Sequence, residues 1–178
     1  EFDIAIEIGE RALALCRVHA VGFLPEVLAA LAGAYGGRGE FDQARTLLNA
    51  ALAMLDASSV SFDDAVRSSV ELAFGRVELS AKNDAEALSH FCRALGLAEV
   101  INAKPIEFSA HCALADLYKA MGQFEEAVYH LEAKFTINQS IFNEGTDIRI
   151  KTLQVAHEAE ESRQQAEILR LRTSELEG

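Results

Sequence analysis

The residues able to do chemistry are few, and their spacing works against most of it. His90 and Cys92 stand two apart, and His111 and Cys112 are adjacent. On a helix such pairs point to different faces, so each could give a metal at most one ligand. Cys16 and His19 have the better three-residue spacing, but no third donor lies near them in sequence. No metal site is expected; the thiols are read as small core fillers and the histidines as half-exposed. Gly33, Gly36, Gly37 and Gly39 crowd together, yet no strand precedes them and no Gly-Lys-Ser/Thr follows, so they mark a helix end and turn, not a phosphate loop. The sequon Asn138-Gln139-Ser140 falls in an expected helix and is read as coincidence. With no nucleophile–base pair and no cofactor motif, the chain is expected to be non-enzymatic and to carry no cofactor.

Helices must position these residues. The 178 residues are rich in Ala, Leu and Glu, with two prolines and no Trp, and β-branched residues form no strand-like runs. A formal charge of −12 argues against nucleic acid, which needs clustered Lys and Arg, and against anionic membrane surfaces. No apolar run reaches the roughly 18–20 residues that span a bilayer. Glu1-Phe2-Asp3 is acidic where a signal peptide is basic, and three cysteines at no shared spacing suit a reducing compartment, so a cytoplasmic location is expected. The chain lacks an initiator Met and opens inside a repeat, which suggests a piece of something larger.

Self-similarity decides the architecture. One segment reads Leu31-Ala32-x-x-Tyr35-x-x-x-Gly39-x-Phe41-x-x-Ala44-x-x-x-Leu48-x-x-Ala51. A second carries Phe74-Gly75, Asp84 and Ala87-x-x-x-Phe91-x-x-Ala94, and a third reads Leu114-Ala115-x-x-Tyr118-x-x-x-Gly122-x-Phe124-x-x-Ala127-x-x-x-Leu131. A half repeat, Phe2-x-x-Ala5-x-x-x-Gly9-x-x-Ala12, opens the chain. The anchors Ala5, Ala44, Ala87 and Ala127 are 39, 43 and 40 residues apart. Over roughly the first 140 residues this resembles the tetratricopeptide (TPR) repeat family, with Glu78 where Tyr is expected, Lys134 where Ala is expected, and no terminal proline. The pattern has a packing cause. Ala32, Gly75 and Ala115 let helix A of each repeat approach helix B, while Leu31, Phe74 and Leu114 fill the space between.

The expected fold is therefore all-α, a right-handed TPR-like solenoid of antiparallel helix pairs with a long C-terminal helix. Its array covers 1–145: a half repeat at 1–22 and repeats at about 23–60, 61–103 and 104–145. Pro25 and Pro105 suit first turns of A helices, and Ser61 with Asp64 is a plausible N-cap and acidic third position. Helices are expected near 2–20, 23–37, 41–57, 62–81, 84–102, 106–121 and 124–143. Gly145-Thr146 then reads as a helix stop and a new N-cap, followed by a separate helix over about 147–176. That helix, within a capping and linker segment at 146–178, repeats in sevens: Ile148, Val155, Ser162, Leu169 and Leu176, with Thr152, Ala159, Ala166 and Thr173 as the companion seam. Ile150 and Leu153 add apolar residues on a second face, so its first turns are expected to cap the array.

In TPR arrays the A helices form the inner wall. Carried over position by position, the resemblance implies a partner groove of Glu26, Ala29, Gly33, Gly36 and Gly37, then Ser69, Leu72, Arg76, Leu79 and Ser80, then Ser109, Cys112, Asp116, Lys119 and Ala120. The Lys and Asn of chaperone-binding clamps are absent, so Arg76 and Lys119 are the groove cations left to meet an acidic group. The stretch Ile141-Phe142-Asn143-Glu144, Ile150-Lys151-x-Leu153-Gln154-Val155-x-His157-Glu158, Glu167-Ile168-x-Arg170-Leu171 and Glu175-Leu176-Glu177 is similar to the linker of bacterial signalling proteins. In those proteins TPR repeats lead into an output domain, often a GGDEF-type diguanylate cyclase. The resemblance implies a regulatory module that binds a protein or peptide, and a homodimer through the seam Ile148, Val155, Ala159, Ala166, Leu169 and Leu176. A stand-alone adaptor is the alternative, and a small helical enzyme the remote one.

Overall fold

The computed structural model describes residues 2–19, 21–57 and 63–176. These form α1 (Phe2–His19), a 3-10 turn (Val21–Phe23), α2 (Leu24–Arg38), α3 (Phe41–Ala57), α4 (Asp63–Ser80), α5 (Asp84–Val100), α6 (Lys104–Ala120) and α7 (Phe124–Leu176), with no strand among the described residues. Ser61, expected to cap α4, lies outside them. Pro25 and Pro105 sit in the first turns of α2 and α6, where a missing N–H breaks no helical bond.

Each A-to-B turn is closed in the same way. At the end of α2, Gly39 N–H donates to Gly36 O and Glu40 N–H to Tyr35 O, with Gly39 at φ +88°. At the end of α4, Lys82 at φ +65° and Asn83 repeat the pattern on Leu79 O and Glu78 O; at the end of α6, Gly122 at φ +75° and Gln123 repeat it on Lys119 O and Tyr118 O. This reversal needs one left-handed residue, and it returns the chain antiparallel.

The fold is an all-α, TPR-like solenoid. Within the unit Glu1–Ile137, α2 packs on α3 and α4 on α5 as helix pairs, α2 lies against α4, α4 against α6, and α1 against α2. The first core holds Leu28, Ala32, Ala44, Leu48, Ala51, Val70 and Phe74; the second holds Leu72, Ala87, Phe91, Ala94, Ala110 and Leu114. The small anchors do what the pattern requires. A Cβ on Gly75 would lie 2.5 Å from Phe91 Cδ1, so this glycine sets how closely α4 meets α5.

The C-terminal region departs from expectation. No break occurs at Gly145-Thr146, for α7 is one helix of 53 residues. Thr146 does not cap a new helix. Its hydroxyl donates back to Phe142 O at 2.9 Å, as Thr136 does to Glu132 O and Thr152 to Ile148 O. A threonine satisfied four residues back sits inside a helix without interrupting it. The second compact unit, Asn138–Gly178, holds the remainder of α7. Ile148 and Leu153 are largely exposed; the side chains of Ile150, Val155, Ala159, Ala166, Leu169 and Leu176 lie outside the described residues.

Candidate partner-binding groove

The A helices α2 and α4 run side by side, and between them lies a cleft of about 290 Å³ lined by Gly33, Gly36, Gly37, Arg76, Val77 and Ser80. Its α2 wall is glycine, and beside Gly33 the space a Cβ would take is open. A Cβ on Gly36 would stand 3.0 Å from Val77 Cγ2, and one on Gly37 would run into the Phe2 ring at 2.3 Å. Across it, Ser80 turns its hydroxyl to Arg76 O at 2.9 Å, leaving the exposed Arg76 guanidinium at the edge. Most arginines of the repeat unit are engaged: Arg38 with Asp3 and Glu40, Arg45 with Glu78 and Asp42, Arg67 with Asp56, and Arg93 with Glu71. No ion pair holds the Arg76 side chain among the described residues.

The remaining groove positions divide by exposure. Ser69, Asp116, Lys119 and Ala120 are exposed, while Leu79, Ser109 and Cys112 are half-buried. Ala29 and Leu72 are buried in the first and second cores, so they support the wall without presenting a side chain. Glu26 is half-buried, and its Oε2 has no hydrogen-bond partner among the described residues. A larger cleft of about 380 Å³ lies elsewhere, between α1, α2 and α3, over Leu13, Leu31 and Leu47. Tyr35 donates to Glu10 there at 2.7 Å, a bond that pushes the phenol pKa up. Its floor is core surface, since Leu31 is buried and Leu13 and Leu47 pack against it.

Polar pairs inside the array were not legible from sequence. Glu78, in the place of a repeat tyrosine, is buried and held by Arg45, whose Nε and Nη2 donate to its two oxygens at 2.7 and 2.9 Å. Asn83 adds a bond of 2.6 Å. The Arg45 fork, more than the Asn83 amide, lowers the Glu78 pKa, while burial opposes it. The mismatch at position 78 was the only signal of this network, and it named no partner.

Of the two histidines singled out in the repeats, His90 is half-buried as expected and His111 is not. His90 stacks on Phe74 with centroids 4.1 Å apart and places Nδ1 2.6 Å from Glu71 Oε2. His111 is buried against His130, their Nδ1 atoms 2.8 Å apart, with Tyr118 stacked on His130. Burial pushes both pKa values of that pair down, and each ring is fixed by a different neighbour than His90. The cysteines are not core fillers: Cys92 is exposed and Cys16 and Cys112 are half-buried. Phe91 takes the core-facing position on α5, so its neighbour Cys92 is turned outward. Among the described residues no three His, Cys, Asp or Glu side chains are grouped to hold a metal.

Residues 108–140 match the tetratricopeptide repeat family. The match covers most of α6 and the start of α7. No curated protein matches the chain. A repeat of this kind marks a protein-interaction module. No helix among the described residues is long and apolar enough to cross a membrane.

Proposed function

We propose that the array is the regulatory module of a bacterial signalling protein, acting in the cytoplasm, and that it binds an extended acidic peptide in the groove between its A helices. The observation that carries this is the glycine-walled cleft with Arg76 unpaired at its edge. The open space beside Gly33 admits a peptide main chain at close range, and a guanidinium in a chain of charge −12 selects a carboxylate. Asp116 and Lys119, exposed on α6, extend the wall with one charge of each sign.

Binding is coupled to an attached output domain, of the GGDEF type or similar, through α7. Support comes from the helix itself, since the B helix of the third repeat and the linker are one element. A parallel pair along Ile148, Val155, Ala159, Ala166, Leu169 and Leu176 would bring two output domains together. The peptide-binding part holds equally for a stand-alone adaptor; sequence encoding a catalytic domain after Gly178 would separate the two.

Selection of random peptides on the immobilised protein tests the groove. Enrichment of acidic peptides that bind at least tenfold more weakly to Arg76→Glu, with the fold intact by circular dichroism, supports it. Enriched peptides indifferent to Arg76→Glu would place recognition elsewhere.

A further inference from the structure

The three B helices offer an internal comparison that singles out one surface. Offsets of 43 and 40 residues relate Leu48 to Phe91 and Leu131, and Leu52 to Leu95 and Phe135. In α3 and α5 these positions are covered by the next A helix. Leu48 is fully buried in a cluster with Val70 and Phe74 of α4, and Phe91 in one with Ala110 and Leu114 of α6. In α7 the equivalent residues are open, with Leu131 48% and Phe135 63% exposed. Val128 at 52% and Phe124 at 65% continue the row. The face on the other side of α7 is normal, since Ala127 and His130 are buried against the third repeat.

We propose that the row Phe124, Val128, Leu131 and Phe135 is an interface for a second copy of this chain, packed helix on helix against the same row. Three observations point to that occupant. First, α7 runs without a turn to Leu176, so among the described residues no A helix follows it to cover the row. Second, a further A helix is a poor fit. Where α3 and α5 have Ala51 and Ala94, α7 has Lys134, whose ammonium is held over the Phe108 ring at 5.5 Å. Where they have Leu55 and Ala98, α7 has Asn138. Third, what remains apolar recurs at steps of four, three and four, the narrow seam of a helix that pairs with its like. A two-fold pairing is self-complementary, so one stripe serves both partners.

The row is separate from the distal seam of Ile148 to Leu176, and pairing through it depends on neither peptide binding nor an output domain. Its four side chains span about three helical turns, a stripe short of the roughly 20–30 residues a side of a standard interface. The association is accordingly reversible.

Sedimentation velocity of the full 178-residue chain from micromolar to several hundred micromolar tests this. A concentration-dependent dimer is expected, weakened at least tenfold by Val128→Lys/Phe135→Lys. These side chains are more than half exposed, so the variant should keep the wild-type melting temperature, and Phe135→Lys alone serves if the double variant does not. Leu169→Asp, run in parallel, reports on the distal seam independently. A wild type that stays monomeric throughout overturns the proposal, as does a dimer indifferent to positions 128 and 135.

Discussion

Glu78 shows how one residue can depart from a repeat pattern and still be accommodated. A buried carboxylate is tolerated only when its oxygens are satisfied, and Arg45 and Asn83 satisfy them. Removing Arg45 leaves that carboxylate buried without its charge partner. Arg45→Ala should lower stability by about 1–3 kcal/mol by chemical denaturation, the cost of an orphaned buried group, partly relieved because Arg45 is about one-third exposed. Acid should have a related effect. A depressed folded-state pKa means the unfolded chain binds the proton more readily, so the Glu78 contribution is complete above the ordinary carboxyl value of 4.5 and is lost as pH falls through the lower folded value. His111 and His130 act in the same direction higher up. Burial favours their neutral forms, so stability should decline as pH falls below their ordinary value of 6.5. Between pH 7 and 5 the melting temperature of the wild type should drop, and His111→Gln/His130→Gln should flatten that drop. An equal drop in both proteins would assign it to other groups.

At the scale of elements, the turns and the helix crossings carry the repeat. Lys82 occupies the left-handed position that Gly39 and Gly122 hold in the other two A-to-B turns. A side chain there costs about 1–2 kcal/mol, of which glycine's greater freedom in the unfolded chain cancels part. Lys82→Gly should therefore stabilise by roughly 0.5–1 kcal/mol, visible as a higher denaturation midpoint; a lower midpoint would mean the lysine makes a compensating contact. Gly75→Ala should do the opposite. Its methyl would meet the Phe91 ring at 2.5 Å, an overpacking that costs about 1–3 kcal/mol. Phe91→Leu in the same chain should recover part of that loss, since neighbouring changes in one contact are not additive. Additive losses would show that the two residues do not meet.

Such crossings were legible because the small and large anchors recur: Ala44, Ala87 and Ala127 are buried, as are Leu31, Phe74 and Leu114, whereas Ala5 is exposed and Ile6 beside it is buried. Helix ends followed from Pro25, Pro105 and Gly39 to within a residue or two. The path of α7 was not legible, because Gly145-Thr146 has the composition of a boundary and only the backward hydroxyl bond of Thr146 shows that the helix passes through it. The His111–His130 and Arg45–Glu78 pairs join residues 19 and 33 apart on different helices, and helical periodicity has no means of matching them.

On the scale of the whole molecule, the stacking of A helices builds the cleft in which recognition is proposed. Gly33, Gly36 and Gly37 from one repeat meet Arg76 and Ser80 from the next, so neither repeat contains the cleft alone. Residues that bury the array also limit what can change around it: Val77 and Phe2 fill the space that a side chain on Gly36 or Gly37 would need. Affinity should depend on Arg76 as a charge and on Gly33 as clearance. The most direct measurement is amide chemical-shift mapping by NMR, titrating in an acidic peptide taken from the selection. The largest perturbations should fall at Gly33, Gly36, Gly37, Arg76 and Ser80, and they should vanish in Arg76→Glu. Perturbations confined to α3 and α5, with α2 and α4 unchanged, would contradict recognition in this groove.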